Sequence, residues 1–226
     1  MRIYLDHNAT SPLRPEARAA MAEVMDCGGN PSSVHAEGRR ARGFVEDARE
    51  AVEALVSAPA RSVLFTSGGT EANNLAVFGA PVERLLVSAV EHPSVLEAAR
   101  RSGRALTVLP VDSDGLADLE ALDRELAEGG PALVSVMLAN NETGAIQPVA
   151  RVVDVAQRHG ALVHTDAAQA AGRIPVSFGA LGVDLMSLSA HKLGGPEGVG
   201  GVVGREGVGI EPRLVGGGEE VRRRGG

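Results

Sequence analysis

The chain has 226 residues, enough for one domain with a substantial core or for one large domain and part of another. Its net charge of −7 and its 2% aromatic content argue against a nucleic-acid partner, because phosphate binding needs a positive surface and base stacking needs aromatic rings. The single cysteine, Cys27, excludes an intrachain disulfide and argues against structural zinc. Without a long apolar run or a signal-peptide pattern, we expect a cytoplasmic protein with no membrane partner.

The basic residues are unusual, because Lys192 is the only lysine among 22 of them. Arginine replaces lysine well on surfaces, but its high pKa prevents it from acting as the deprotonated amine that attacks a carbonyl. The lone lysine is therefore a candidate for covalent chemistry. The alternative is the chance survival of one surface lysine, and only the local sequence around Lys192 distinguishes the two.

The order of predicted elements begins with two helices, over residues 15–25 and 35–57, indicated by the spacing of their apolar residues. Beyond residue 60, short apolar strands alternate with helices. The strands are predicted at 63–65, 85–89, 105–109, 133–138, 162–164, 185–188 and 200–203. The intervening helices are predicted from residue 70, at 94–101, at 116–128 and at 149–159. This alternation is typical of an α/β fold with a mainly parallel seven-stranded sheet covered by helices on both faces.

In such a sheet, ligands gather at the carboxyl ends of the strands. After the first strand come several glycines, including Gly69, and a helix that starts near Thr70. Glycines let the backbone approach a ligand, and a helix N-terminus attracts an anion; the alternative is an ordinary helix cap. His92 follows the second strand, where its flat ring could stack on a planar cofactor or simply form a capping hydrogen bond.

Polar residues also follow the two central strands. Asn140 and Asn141 suit either polar recognition or an Asx turn. Asp166 is an acid at a buried strand end, where it needs a partner. A protonated pyridine nitrogen would be suitable, and a buried salt bridge to an arginine is the alternative. Gln169, three residues further on, could reach a substituent of the same ring.

The strand at 185–188 ends next to Lys192, whose amine could be desolvated there and so become nucleophilic. Ser189 and His191 could supply phosphate contacts. Five strand ends together offer an anion cradle, a stacking ring, polar amides, an acid and an amine. This set fits an aldehyde-bearing, phosphorylated, pyridine-type cofactor better than any other ligand, which predicts pyridoxal 5′-phosphate (PLP).

Seven motifs occur in a characteristic order: Tyr4–Thr10, Gly29–His35, Ser67–Asn74, Glu91–His92, Asn140–Gly144, Asp166–Gln169 and Ser189–Lys192. In these motifs the chain resembles cysteine desulfurases of the NifS/IscS type, which are class V aminotransferase enzymes with the aspartate aminotransferase-like fold (fold type I). The resemblance implies that Lys192 holds PLP as a Schiff base and moves protons, that His92 stacks on the ring and assists acid–base steps, and that Asp166 pairs with the ring nitrogen. It also implies that Asn141 and Gln169 contact the phenolic oxygen side of the ring. The phosphate would be held by Gly69, Thr70, Ser189 and His191.

The resemblance further implies conversion of L-cysteine to L-alanine by a homodimer. The sulfur would pass through a persulfide to iron–sulfur clusters or thio-cofactors, by way of a sulfur-acceptor or scaffold protein. Residues 1–15 would form an N-terminal arm and residues 16–226 the PLP-binding large domain, with the C-terminal small domain absent. No metal is expected.

Two departures from the family pattern lie outside the motifs that match. Arg224-Gly225-Gly226 replaces the family's Arg-Ser-Gly-Thr motif, and the loop that carries the persulfide cysteine is missing. Cys27 matches no catalytic position and is expected to be an incidental, partly buried thiol. The alternatives are a selenocysteine lyase or another class V aminotransferase, and a truncated, non-catalytic PLP-binding or partner protein.

Overall fold

A computed structural model describes residues 3–217, 220, 224 and 225. Residues 3–14 form an arm without helix or strand. The helices are α1 Pro15–Cys27, α2 Ala36–Leu55, α3 Gly69–Gly79, α4 Pro93–Arg101, α5 Leu119–Leu126, α6 Val149–Arg158 and α7 Phe178–Leu181, and a 3₁₀ turn spans Ala190–Lys192. The strands are β1 Val63–Thr66, β2 Arg84–Ser88, β3 Ala105–Leu109, β4 Ala132–Ser135, β5 Leu162–Asp166, β6 Leu185–Ser189 and β7 Gly200–Gly204.

The seven strands form one sheet in the order β1-β7-β6-β5-β4-β2-β3. Strands β2 to β6 pair in parallel, and β7 runs antiparallel between β1 and β6. The predicted α/β fold with a mainly parallel seven-stranded sheet is therefore confirmed. Because β1 to β6 all point the same way, their carboxyl ends meet at one edge of the sheet, and the residues that follow them lie there.

The core lies on both faces of the sheet, which explains why the strands read as nearly continuous apolar runs. In β2, Leu85 and Val87 belong to a cluster with buried residues of α3 and α4, whereas Leu86 belongs to a cluster with α5 and α6. This alternation follows from the two-residue period of a strand. The helices of both layers fix the sheet, and the sheet fixes the positions of the strand ends.

Strand β4 ends at Ser135, three residues before the predicted end. The backbone N–H of Met137 donates to the Glu91 carboxylate instead of continuing the pairing with β2. On the other side, the N–H groups of Val136 and Leu138 still donate to carbonyls of β5. The apolar run is extended as predicted, but at Met137 the buried carboxylate of Glu91 takes the place of β2 as the hydrogen-bond partner.

Helix α5 begins at residue 119, three residues later than predicted. The Asp118 carboxylate accepts hydrogen bonds from the backbone N–H groups of Glu120 and Ala121, both at 2.9 Å, and this cap defines the start of the helix. Helix α7 and the 3₁₀ turn are not evident in the sequence, because four and three residues are too few to show a period.

The C-terminal glycine-rich stretch is described only in part. Gly218, Arg222, Arg223 and Gly226, which belong to segments noted in the sequence, lie outside the described residues. The guanidinium group of Arg224 donates to the Glu71 carboxylate, with Nη2 and Oε2 3.2 Å apart, so this end of the described chain contacts α3. No helix in the described ranges has the length and apolar character needed to cross a bilayer.

Candidate cofactor-binding site

A cleft of about 450 Å³ lies at the carboxyl edge of the sheet, a size suited to a small molecule or cofactor. It brings together residues from five strand ends. The nine residues predicted as a site all line it: Gly69, Thr70, His92, Asn141, Asp166, Gln169, Ser189, His191 and Lys192. Asn73 and Ser94 also line the cleft, and the sequence analysis assigned them no role.

The N-terminus of α3 opens onto the cleft. Its N-cap is Gly68, so the ordinary helix cap considered from the sequence is present as a glycine, and no side chain of the described residues caps the first turn. A Cβ atom added at Gly69 would lie 3.1 Å from Cβ of Ser189, which shows how closely the helix start approaches β6. At Gly200 in β7, a Cβ atom would lie 2.7 Å from Cα of Gly68, so glycine is required there for the loop to pack. The result is an open set of backbone donors suited to an anion.

Glu71 lies beside this helix start and is engaged by its neighbours. Its carboxylate accepts a hydrogen bond from the backbone N–H of Ser67 at 2.7 Å and another from Arg224. Burial raises the pKa of Glu71, but the hydrogen bonds from Arg224 and Ser67 outweigh burial and bring the pKa below its usual value. Arg224 therefore offsets the negative charge of Glu71 next to the anion cradle.

Asp166 is 6% exposed at the end of β5. Its Oδ1 accepts from the backbone N–H of Ala168 at 2.9 Å, and its Oδ2 accepts from Nδ2 of Asn73 at 2.7 Å. In the part of the chain that the structure describes, no basic side chain forms an ion pair with Asp166, so the arginine salt bridge considered from the sequence is not found. The acid has only neutral hydrogen-bond donors and is suited to a cationic group in the cleft.

His92 caps helix α4 and lines the cleft as well. Its Nδ1 accepts from the backbone N–H of Ser94 at 3.1 Å and lies 2.8 Å from the Ser94 hydroxyl oxygen. The ring is exposed on the cleft side of this cap. Capping and contact with a ligand, which the sequence analysis treated as alternatives, are therefore compatible.

The two amides after β4 have different roles. Oδ1 of Asn140 accepts from the backbone N–H groups of Glu142 and Thr143, each at 2.9 Å, which is the Asx turn that the sequence allowed. Asn141 lies at the cleft, and its carbonyl oxygen accepts from Nδ2 of Asn8 in the arm at 2.9 Å. The turn formed by Asn140 thus positions Asn141.

Lys192 lies at the end of the 3₁₀ turn, where its Nζ donates to the backbone carbonyl oxygen of Asn8. Burial lowers the pKa of Lys192 and the positive charge of Arg173 lowers it further, against the opposing effect of Asp166 and Asp6. Burial, followed by the charge of Lys192, also lowers the pKa of His191. A lowered pKa increases the fraction of neutral amine, which is the nucleophilic form.

Arg173 is a contact of the site that the sequence analysis missed. Its Nη1 donates to Oδ1 of Asn8 and to Oε1 of Gln169, both at 2.7 Å. Its Nη2 donates to the carbonyl oxygens of His7 at 2.6 Å and Lys192 at 3.2 Å. Nε2 of Gln169 donates to the carbonyl oxygen of Asn8 at 2.9 Å. The four-residue spacing from Gln169 to Arg173, which places two side chains on one side of a helical turn, was the available signal.

Two ionisable groups lie buried behind Asp166. Burial raises the pKa of Glu91 well above its usual value, the hydrogen bond from Met137 opposes this, and the charge of Asp166 adds to it. The His164 ring lies between the hydroxyls of Ser135 and Ser187, at 2.8 and 2.9 Å. Burial lowers the pKa of His164 to about 4, against the charge of Asp166, so this ring is neutral near pH 7.

An α/β sheet with an anion cradle, a buried acid and an amine along its carboxyl edge is the architecture of PLP-dependent transferases of fold type I. The chain belongs to the class-V aminotransferase family, because the sequence model of that family, described as "Aminotransferase class-V", matches residues 3–224. Enzymes of this family use PLP.

Several curated and solved proteins are similar to the chain. It is 42% identical to "Cysteine desulfurase IscS" of Dictyoglomus turgidum, over 99% of the chain and 59% of that protein. It is 45% identical to "Cysteine desulfurase" of Cereibacter sphaeroides, over 100% of the chain and 61% of that protein. A NifS-like protein from Rickettsia africae has a TM-score of 0.93 at 35% identity, over 100% of the chain and 64% of that structure.

A structure described as "SspA in complex with cysteine" also has a TM-score of 0.93, at 30% identity, and the match covers 100% of the chain and 68% of that structure. The chain thus spans about 60% of the length of the curated relatives that it matches.

Proposed function

We propose that the chain forms the PLP-binding core of a cysteine desulfurase. The observation that carries the proposal is the arrangement of Lys192, with its lowered pKa, and the buried Asp166 in one cleft with the uncapped start of α3. When bound, PLP supplies an electron sink that stabilises negative charge at the substrate carbon next to its amino group. The amine, acid and anion cradle match the aldehyde, ring nitrogen and phosphate of that cofactor.

The role of each residue follows from its contacts. Lys192 would attach to the cofactor and carry a proton on Nζ during turnover. Asp166 would hold a proton on the ring nitrogen, because its own hydrogen-bond partners in the described chain are neutral donors. His92 would stack on the ring and exchange protons. Asn141 and Gln169 would hold the phenolic oxygen side of the ring. The phosphate would be held by Gly69, Thr70, Ser189 and His191.

The proposed reaction converts L-cysteine to L-alanine and passes the sulfur through a persulfide into iron–sulfur cluster or thio-cofactor assembly. The names of the two curated relatives, and the cysteine complex of a similar structure, support this substrate. Cys27 is half-buried in an apolar groove between α1 and α2 and does not line the cleft. We therefore assign the persulfide to a thiol that this sequence does not contain, with a sulfur-acceptor or scaffold protein beyond it.

The proposal also includes a cytoplasmic homodimer, in which residues 1–15 act as an arm and residues 16–226 as the large domain. The contacts of the arm with Lys192, Gln169 and Arg173 support treating it as part of the site rather than as a separate unit.

The cofactor assignment is tested by mixing the purified chain with PLP, fixing the covalent link with sodium borohydride and mapping the modified peptide by mass spectrometry. We expect modification at Lys192. Lys192→Ala should lose both the modification and the visible colour of the bound cofactor, and Cys27→Ser should keep both. Modification of the N-terminal amine alone, or none, would contradict the assignment.

The reaction is tested by adding L-cysteine and dithiothreitol to the PLP-loaded chain and measuring alanine and sulfide. Formation of both in equal amounts, dependent on Lys192, is the expected result, because dithiothreitol takes the place of the absent persulfide thiol: it accepts the sulfur and releases it as sulfide when its two thiols form a disulfide. Transamination of a keto acid without release of sulfide would contradict the desulfurase assignment and leave the cofactor assignment intact.

A further inference from the structure

A continuous set of side-chain hydrogen bonds connects the buried acid to the histidine at the cleft. Nδ2 of Asn73 donates to Oδ2 of Asp166 at 2.7 Å and to the hydroxyl of Ser94 at 2.9 Å. The Ser94 hydroxyl oxygen lies 2.8 Å from Nδ1 of His92. Asn73 is 2% exposed, so this connection is buried where it joins α3 to β5, and it becomes exposed at His92 at the start of α4.

The orientation of the Asn73 amide is determined by its neighbours. A carboxylate accepts hydrogen bonds only, so the amide must turn its NH₂ group towards Asp166, and its second proton then points to Ser94. This orientation leaves the amide oxygen unsatisfied: Oδ1 of Asn73 is buried and has no hydrogen-bond partner among the described residues. An unsatisfied buried oxygen is retained only where the two bonds of NH₂ outweigh it.

The direction of the remaining bonds follows. The Ser94 oxygen already accepts from Asn73, so its own proton is free to point to His92. The backbone N–H of Ser94 also donates to Nδ1 of His92, at 3.1 Å, and a backbone N–H can only donate. Nδ1 therefore carries a lone pair, and the proton of the neutral ring is on Nε2. Nε2 of His92 has no hydrogen bond within the described chain, so this proton is available to a group bound in the cleft.

We propose that Asn73 and Ser94 are positioning residues that hold His92 as the Nε2–H tautomer and fix its ring relative to Asp166. The tautomer is a property of the cofactor-free chain, and its use in holding PLP rests on the function proposed above. Because Asn73 donates to both Ser94 and Asp166, a change at Ser94 removes the hydroxyl contact with His92 and leaves the bond between Asn73 and Asp166 in place, whereas a change at Asn73 also removes a partner of Asp166.

The experiment measures the ¹⁵N chemical shifts of the His92 ring by NMR in the full chain without PLP, at a pH where the ring is neutral. His92→Gln identifies the signal among the six histidines. We expect Nε2 to be protonated and Nδ1 to be unprotonated. Ser94→Ala keeps the backbone donor but loses the hydroxyl, so the ratio of the two tautomers should shift towards Nδ1–H by about three- to tenfold, the range of one hydrogen bond. Ser94→Thr, which restores a hydroxyl, should restore the ratio.

A matched control lies on the same helix. Ser102 donates its hydroxyl proton to the carbonyl oxygen of Ala99 at the other end of α4, so Ser102→Ala makes the same chemical change away from the cleft. It should leave the His92 shifts unchanged. A wild-type ring protonated on Nδ1, or a tautomer ratio that Ser94→Ala does not move, would overturn the proposal.

PLP binding gives a second readout. We expect Ser94→Ala to weaken PLP binding several-fold and Asn73→Leu to weaken it more, because Asn73→Leu also removes a partner of Asp166. If no variant and no wild-type chain binds PLP, the proposed function fails, while the ¹⁵N measurement still decides the positioning role. If PLP binds with equal affinity to the wild type and to both variants, the positioning role for the cofactor fails and the proposed function stands.

Discussion

The two walls of the cleft are built differently. One wall, here the acid wall, consists of Asp166, Asn73, Ser94 and His92, and its side chains bond to one another in a series that starts at the buried Asp166 and Asn73 and ends at the exposed His92. The other, here the amine wall, consists of Lys192, His191 and Gln169, which line the cleft, together with Arg173, which bonds to Gln169 and Lys192. All four side chains of the amine wall bond to residues 7–10 of the arm, which is largely exposed.

This difference separates two ways of organising a site. The acid wall is fixed by the same packing that fixes the sheet, since Asp166 ends β5 and Asn73 lies on a buried face of α3. The amine wall depends on a segment that has no regular structure and is attached by hydrogen bonds near the surface. We therefore expect changes in the acid wall to have large effects on the cofactor and the fold. In the amine wall, changes to the contacts that hold Lys192, as opposed to Lys192 itself, should have small, local effects.

The largest effect is expected for Asp166→Ala. It removes the carboxylate that would pair with a cationic ring nitrogen, and truncating one partner of a buried charged pair costs about 2–5 kcal/mol of binding free energy. The measurement is the dissociation constant of PLP, obtained from the absorbance of the bound cofactor. Asp154→Ala, at an exposed position of α6, is the matched control and should bind PLP as the wild type does.

The outcome of that experiment depends on whether the Asp166→Ala chain folds. An Asp166→Ala chain that folds and binds PLP within twofold of the wild type would remove Asp166 from the proposed site. If Asp166→Ala does not fold, Asp166→Asn takes its place, because it retains an oxygen that accepts from Nδ2 of Asn73.

The next largest effect is expected in the pH dependence of the free energy of unfolding, and it comes from His164, which is buried behind the acid wall. Because its pKa is lowered to about 4 in the folded chain, the unfolded chain binds the proton more strongly between pH 6.5 and 4. The free energy of unfolding should therefore decrease as the pH falls through this window, by about 3 kcal/mol from this group.

The measurement for His164 is the difference in unfolding free energy between the wild type and His164→Gln across this pH range, from urea titrations. The difference isolates His164 from Glu91, whose raised pKa acts in the opposite direction and makes the folded chain less stable as the pH rises above about 4.5. Parallel curves for the two proteins would show that His164 does not titrate as proposed.

The sequence predicted the fold and the location of the cleft, because both depend on strong, repeated signals. Apolar runs identified all seven strands of the described sheet. The rule that parallel strands present ligands at their carboxyl ends, together with the family resemblance, selected nine residues that do line one cleft. Boundaries were less accurate where side chains determine them, as Glu91 does at the end of β4 and Asp118 does at the start of α5.

The connections within the site could not be predicted in the same way. Asn73 and Asn74 are adjacent in sequence, and only the rotation of α3 about its axis decides which of them faces Asp166. Arg173 lies 19 residues before Lys192 and 165 residues after Asn8 of the arm, and it reaches both only through the tertiary fold. Strand ends thus show where a site lies, and packing decides which neighbours hold it.

The smallest effect is expected in the amine wall, for Arg173→Met. Loss of the guanidinium group removes a positive charge that lowers the pKa of Lys192, so this pKa should rise, while the larger contribution of burial remains. As the chain has a single lysine, an amine-reactive reagent reports on Lys192 once the N-terminal amine is separated by mass spectrometry. The measurement is the rate of labelling as a function of pH. Arg158→Met, which removes an arginine paired with Asp123 at the surface, is the matched control and should leave the labelling profile unchanged.

Arg173→Met has a second consequence that distinguishes charge from contact. The same guanidinium group holds His7 and Asn8, so the arm should open more often and exchange of the Ser11 N–H, which donates to the carbonyl oxygen of His191, should accelerate. A rise in the pKa of Lys192 without faster exchange would assign the effect to charge alone. Faster exchange that also reaches the buried amides of β5, such as that of Val163, would contradict the separation of the two walls, because it would show that the arm stabilises the core as well as the amine.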